Sequence, residues 1–163
     1  MIKIIAAVGK NLELGKKGDL IWSLPNDLKF FKEQTTGCVV VMGKNTFNSL
    51  PRKLPNRIHY VLTDSLDFNK DTSDVRMYYD FAELLSAVKG LAETADVYII
   101  GGASIYSQFV EHADELVLTE VDAEDKEADV YFPSFDKSKY EKYHIASNED
   151  NGIKYDHVKY VKK

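Results

Sequence analysis

One carboxylate stands where a helix should be apolar. In IWSLPNDLKFFK (residues 21–32) Pro25 suits a first helical turn, and Leu28, Phe30 and Phe31 form the buried face of the helix that follows. At about 100° per residue, Asp27 falls between Phe30 and Phe31, only ~40° from Phe31. A carboxylate that merely met the helix macrodipole would contribute ~0.3–1 kcal/mol and could equally face solvent. Its place on the apolar side therefore points to a ligand or an internal partner.

Two other stretches repeat one device. VVVMGKNTF (residues 39–47) and VYIIGGASIY (residues 97–106) each pass from an apolar strand through glycine into a helix start. Glycine lets backbone N–H groups approach a ligand, and a helix N-terminus carries partial positive charge. Lys44 adds a full charge, and Thr46 and Ser104 add hydroxyls. Together the junctions could clasp a pyrophosphate. Ordinary strand–helix turns explain either junction alone, but the tandem Gly101-Gly102 is harder to explain that way. A kinase-type P-loop is excluded, because five apolar residues separate Gly37 from Gly43 and Asn45 follows Lys44 where Ser or Thr is needed. The Rossmann G-x-G-x-x-G is also absent.

Arg52 and Arg57 flank a proline turn in RKLPNR (residues 52–57). Each reads as a solvated charge, although Arg57, opening a strand, could present a fixed fork to a carboxylate. His59, His112, His144 and His157 lack metal-ligand spacing and read as surface or strand-packing side chains, so no metal site is expected. The acidic DAEDKEAD run (residues 122–129) lacks the EF-hand glycine and reads as a solvated loop. Cys38, the single cysteine, opens an apolar run and reads as a packed core thiol.

The elements that must position these residues follow from periodicity. Continuous apolar runs predict strands at 2–8, 39–42, 58–62, 75–78 and 97–100, and helical patterns fall at 24–34, 44–50, 81–91 and 104–111. Asp80 can cap the third helix, with Glu83 three residues on. Beyond Ala113 only strands are expected, at 115–121, 141–146 and 154–161. The reading is a single α/β domain over 1–163: a mostly parallel sheet of about eight strands, finished by an antiparallel pair, with helices on both faces. In such a sheet both glycine junctions lie at the carboxyl edge, where ligands bind.

Bulk properties narrow the partners. At 163 residues with 44% hydrophobic and 29% charged, the chain suits one soluble domain. A net charge of -5 disfavours nucleic acid and anionic membranes. One cysteine permits no internal disulfide, and neither a signal-peptide core nor a membrane span is visible. A cytoplasmic monomer is expected, since no apolar stripe is left over once the core is assigned.

Taken in order, IIAAVGKNLELGKKGDLIWSLPNDLKFFK, VVVMGKNTFNSL, LPNR, VYIIGGASIYSQFV and LVLTEVDAEDKEADVYFP resemble dihydrofolate reductase along essentially the whole chain. The resemblance implies a central eight-stranded, mostly parallel sheet with an antiparallel C-terminal strand and four flanking helices. It also implies NADPH-dependent reduction of 7,8-dihydrofolate, a small-molecule substrate, to tetrahydrofolate. On that reading the catalytic set is Asp27, Trp22, Leu20 and Thr119, with Asp27 binding the pterin and Thr119 supporting its carboxylate. Ile5, Ala7, Leu28, Phe31, Leu50, Leu54, Ile100 and Tyr106 would contact substrate, and Arg57 would grip its glutamate carboxylate. The cofactor would meet Ala7, Leu14, Gly15, Gly43, Lys44, Asn45, Thr46, Leu62, Thr63 and Asp64. It would also meet Ile100, Gly101, Gly102, Ala103, Ser104, Ile105 and Tyr106. The family's Gly-Gly link is typically cis. Residues 8–24, with Gly9, Gly15 and Gly18, would form a lid, because Leu20, Ile21 and Trp22 are too apolar to be left in water. Two other readings remain open: a pyrimidine reductase of riboflavin synthesis on a similar fold, and a non-catalytic nucleotide- or folate-binding module.

Overall fold

The computed structural model describes residues 1–17, 19–65 and 71–163. In chain order its elements are β1 (Ile2–Val8), β2 (Glu13–Lys16), β3 (Asp19–Leu20), α1 (Pro25–Thr35), β4 (Val39–Gly43), α2 (Lys44–Ser49), β5 (Ile58–Leu62) and β6 (Val75–Tyr78). Then come α3 (Phe81–Ala92), β7 (Val97–Gly101), α4 (Ala103–Phe109), β8 (Glu115–Val121), β9 (Val130–Tyr131), β10 (Tyr140–Asp150) and β11 (Ile153–Lys162), with a 3-10 turn at Lys137–Lys139.

Eight strands form one sheet in the order β10-β11-β8-β1-β7-β4-β5-β6. The six from β8 to β6 are parallel, and β11 runs antiparallel to both β8 and β10. This is the expected architecture. Side-chain alternation divides the interior into two cores. Ile4, Val41, Ile99 and Leu118 join Leu84 and Val88 of α3 and Phe109 of α4 on one face. Ile5, Val40, Met42 and Tyr98 meet Phe30 and Phe31 of α1 and Phe47 of α2 on the other.

The caps differ in kind. Asp80 caps α3 as expected, accepting from the Glu83 N–H at 3.3 Å. At α1 the flanking residue is Leu24, whose side chain cannot cap, and Pro25 opens the helix. The cap comes from the far end of the chain: Asp150 accepts from the Asn26 backbone N–H at 2.9 Å and from its amide at 2.6 Å.

The segment 8–24, read as one long loop, contains strands. β2 pairs antiparallel with β3 and with β9 in a second, three-stranded sheet. Runs of two to four residues are too short for alternation to show in a sequence; Gly18 lies outside the described residues. Glu13, 1% exposed, ties this sheet to the acidic loop. Its carboxylate accepts from the Asn11 and Asp125 N–H groups at 2.7 and 2.8 Å. Burial opposes its ionisation, but those N–H groups outweigh burial and hold its pKa below the ordinary value. The acidic run is thus more than a solvated loop, since Asp122 and Asp125 also pair with Lys10 and Lys16 at 3.1 and 3.8 Å.

Candidate active site

Register places three side chains in a row. Ala7 of β1 is paired with Thr119 of β8, and Thr119 with His157 of β11. Strand partners share a face, so all three point toward α1, on the side of Ile5 and Val117. Above this row α1 lays Asp27. The Thr119 hydroxyl donates to Asp27 Oδ1 at 2.5 Å, and His157 Nε2 lies 3.0 Å from the same oxygen. Thr119 and His157 are each 3% exposed, whereas the Asp27 side chain is 20% exposed. Among the described residues nothing bonds Asp27 Oδ2, and no buried polar side-chain atom lacks a partner. Oδ2 therefore reaches solvent at the mouth of the site.

The helix that carries Asp27 is held by the β10–β11 turn. Besides capping Asn26, Asp150 accepts from the Tyr155 hydroxyl at 2.6 Å. That hydroxyl, ahead of Asn26, keeps the Asp150 carboxyl below its usual range. Burial, reinforced by Asp150, pushes the Tyr155 hydroxyl well above its ordinary value.

Along the same face the 52–57 turn is fixed from beneath. Arg57 is 6% exposed; its Nε donates to the Pro55 carbonyl and its Nη1 to Thr35 Oγ1, both at 3.0 Å. Burial lowers its pKa, but a guanidinium stays charged near neutrality. Among the described residues no carboxylate pairs with it. Nη2 is unbonded and, by the argument used for Asp27 Oδ2, open to solvent. Arg57 is thus the fixed fork rather than the solvated charge. His59, fully buried, accepts from the Leu54 N–H through Nε2 and faces the Asp74 carbonyl through Nδ1, each at 3.0 Å. Burial holds its pKa below the ordinary histidine value. Of the residues expected to wall the substrate pocket, Leu28 is 58% exposed, and Phe31, Leu50 and Leu54 pack partly buried on the second core.

The glycine junctions meet at the carboxyl edge of β4, β5 and β7. They line a cleft of about 630 Å³ that includes Gly43, Lys44, Asn45, Thr46, Leu62, Thr63, Asp64, Gly102, Ala103, Ser104 and Ile105. The Gly101-Gly102 peptide is cis, as the resemblance implied. A Cβ on Gly102 would come 3.6 Å from Thr46 Oγ1, and one on Gly43 would come 3.2 Å from Ile105. The two helix starts therefore abut; a side chain at Gly43 would press on Ile105, and one at Gly102 would rest in ordinary contact with Thr46. Gly101 has φ +115°, and a Cβ there would meet the Tyr106 hydroxyl at 3.1 Å.

Some expected contact residues lie deeper than a ligand-contacting role suggests. Tyr106, 5% exposed, gives its hydroxyl to the Ile5 carbonyl at 2.8 Å, so it supports Gly101 from below. Leu14 is buried in the first core, and Gly15 is a buried pairing position of β2. Ile5 is buried in the second core, while Ala7 and Ile100 are partly exposed. Leu20, expected to be covered, is 69% exposed, because a two-residue strand at the rim of the small sheet has nothing packed over it. Trp22, half-buried, packs against the Leu24–Val121–Tyr155 cluster.

The sequence reading did not find His157, Asn148 or Asp150 as parts of the site, nor Tyr79, Asp80, Phe81 and Gln108 along the cleft. No spacing signal links residues that only register brings together. Among the described residues no cluster of His, Cys, Asp or Glu could hold a metal ion.

Residues 1–162 match the family model described as dihydrofolate reductase. The chain is 35% identical over 166 residues to the dihydrofolate reductase of Bacillus subtilis (strain 168), spanning 100% of this chain and 95% of that protein. It is 37% identical over 171 residues to dihydrofolate reductase HdrB of Haloferax volcanii, spanning 98% and 82%. Its fold matches dihydrofolate reductase from Enterococcus faecalis complexed with NADP(H) and RAB-propyl, with a TM-score of 0.84 and 31% identity over 99% of this chain and 96% of that one.

Proposed function

The chain belongs to the dihydrofolate reductase family, and we infer that it reduces 7,8-dihydrofolate to 5,6,7,8-tetrahydrofolate with NADPH, anchoring the pterin on Asp27. One observation carries the residue assignment: Asp27 Oδ1 is held from the sheet while Oδ2 faces outward. An ionised carboxylate so held accepts from two adjacent donors, and the pterin offers N3–H and its 2-amino group.

The fit of the cofactor rests on the abutting helix starts and on Gly43, whose missing Cβ lets the two lie this close. The backbone around Gly43–Thr46 and Gly102–Ile105, with Lys44 and Thr46, would hold its phosphates. NADPH, when bound, supplies a hydride from C4 of its nicotinamide for C6 of the pterin. The chain's own task is to align two flat rings and favour the proton at N5. Asp27 carries its negative charge against the pyrimidine half, which favours protonation at N5; the proton arrives through water. Arg57, pre-fixed by Thr35 and Pro55, takes the substrate's glutamate carboxylate. Trp22 and Leu20 would border the reacting rings, an assignment that rests on the family pattern.

No described helix is long and apolar enough to cross a membrane. The net charge of -5 disfavours binding to nucleic acid, and the single cysteine fits the proposed cytoplasmic location. The test is the loss of NADPH absorbance on adding dihydrofolate. Purified protein should oxidise the cofactor, and Asp27→Asn should lose most turnover at neutral pH. No oxidation by the parent protein would remove the reading, and full turnover by Asp27→Asn would remove Asp27 from its role.

A further inference from the structure

We infer that His157 is a positioning residue for this reaction: through Nε2–H it holds Asp27 Oδ1 and keeps Oδ2 turned to the pterin. The inference rests on the role proposed for Asp27, and it concerns a residue that touches neither substrate nor cofactor.

Three contacts fix the imidazole. Its ring stacks on Phe30 with centroids 3.8 Å apart and planes 10° apart. The edge of Tyr155 closes another side, with centroids 5.5 Å apart. Nδ1 lies 3.3 Å from the amide Nδ2 of Asn148 on β10. An ionised carboxylate only accepts, so the 3.0 Å contact with Oδ1 requires the proton on Nε2. Nδ1 then carries a lone pair, and it faces the amide that can donate to it. The Nε2–H tautomer is therefore selected from both ends.

Donors from two strands thus converge on one oxygen of Asp27, Thr119 from β8 and His157 from β11. With one donor the carboxylate could turn about its last bond; with two its plane is set and Oδ2 points away from the sheet. A side chain needed only to fill this space would not require the polar partner at Nδ1. The groups facing the ring are Asp27 from α1, Thr119 from β8, Asn148 from β10 and Tyr155 on its own strand, and Asp150 of β10 lies one contact further, accepting from the Tyr155 hydroxyl.

The experiment compares kcat/KM for dihydrofolate from acid to alkaline pH in the parent, His157→Phe and His157→Gln. Phenylalanine keeps the stack on Phe30 but removes a donor of the kind that favours a charged carboxylate, so the midpoint of the profile is expected to move up by about one pH unit. Glutamine keeps an N–H donor in reach of Oδ1 and should recover most of that shift. Profiles of His157→Phe and parent that superimpose would overturn the inference. So would equal shifts in the Phe and Gln variants, which would assign the effect to ring packing. Should His157→Phe not fold, Asn148→Ala leaves the ring in place and removes the selector of its tautomer. A smaller upward shift is then expected, and an unchanged profile again overturns the inference. A parent protein that fails to oxidise NADPH with dihydrofolate is a separate result, and it removes the underlying function instead.

Discussion

Replacing Arg57 by leucine separates binding of the substrate's tail from everything else the site does. The guanidinium is already desolvated and held at Nε and Nη1 in the folded protein, so a carboxylate arriving at its open side meets a charge that needs no further ordering. Truncating one partner of a buried, hydrogen-bonded charge pair costs 2–5 kcal/mol or more, with part of that reflecting the charge left behind. Leucine leaves no protein charge behind, and the abandoned carboxylate returns to water. A value near the lower middle, about 3 kcal/mol, corresponds to a roughly 100-fold rise in the Kd of dihydrofolate. The fold should survive, because Thr35 Oγ1 keeps its bond to the Phe31 carbonyl at 2.8 Å, and two lost hydrogen bonds cost ~1–3 kcal/mol of stability. The assay is a titration of both proteins with dihydrofolate and with the corresponding pteroate, which lacks the glutamate. The double difference isolates the Arg57–carboxylate coupling from any general distortion. The loss should be confined to the glutamate-bearing ligand. Equal losses for both ligands, or a fall in kcat with Kd unchanged, would refute the tail-gripping role.

Other perturbations test the surrounding structure. Gly101→Ala puts a Cβ at φ +115° and 3.1 Å from the Tyr106 hydroxyl; NADPH affinity should fall at least tenfold, and a Kd within twofold of the parent would show that the junction is not the cofactor cradle. Gly9→Ala brings a Cβ to 2.5 Å from the Trp22 ring, 2.6 Å from Glu13 Oε1 and 3.0 Å from the Ala123 carbonyl, so it should destabilise the protein by about 1–3 kcal/mol in urea unfolding. Acid should weaken the fold in two stages. His59 is harder to protonate folded than unfolded, so its contribution is complete above its ordinary pKa of 6.5 and declines as pH falls below that value. Asp74 is lowered from 3.8 to about 2, chiefly by the Lys53 ammonium and then by the Thr72 hydroxyl, so its contribution declines only as pH falls through that window. Unfolding midpoints measured against pH should lose the first stage in His59→Gln, whereas Asp74→Asn should only reduce the second, to which Glu13 and Asp150 also contribute.

Elements with strong periodicity were legible in the sequence, and so were residues whose chemistry is local. Buried parallel strands read as unbroken apolar runs, and Asp80 with Glu83 announced the start of α3. Asp27 was legible because a helix wheel shows a misplaced acid without knowledge of its neighbours. Gly101-Gly102 was legible because a tandem glycine is hard to explain as an ordinary turn, and Gly101 indeed has φ +115°. The three-stranded sheet was not, since two to four residues cannot display a period. The place of His157 beside Asp27 was illegible for a different reason. Its partner lies 130 positions away, and the row Ala7–Thr119–His157 exists only through strand register. A one-residue slip of β11 would turn that imidazole to the opposite face.

The two halves of the site are therefore built by different means. The cofactor half is local: strand ends and the helix starts that follow them, residues adjacent in sequence, assembled wherever β4 and β7 lie side by side. The pterin half is assembled from afar. α1 has no residue of its own to cap it, so its first turn is fixed by Asp150, and the Asp27 carboxylate is held by Thr119 and His157. All three supports lie in the C-terminal strands, and two of them lie in the antiparallel hairpin. Orientation of Asp27 thus depends on the last strands docking in the right register, whereas the glycine cradle does not. The half that must orient a flat ring is the half made from the most distant parts of the chain. Supports that are distant in sequence can approach the carboxylate from several directions at once, which no single helix or turn can do.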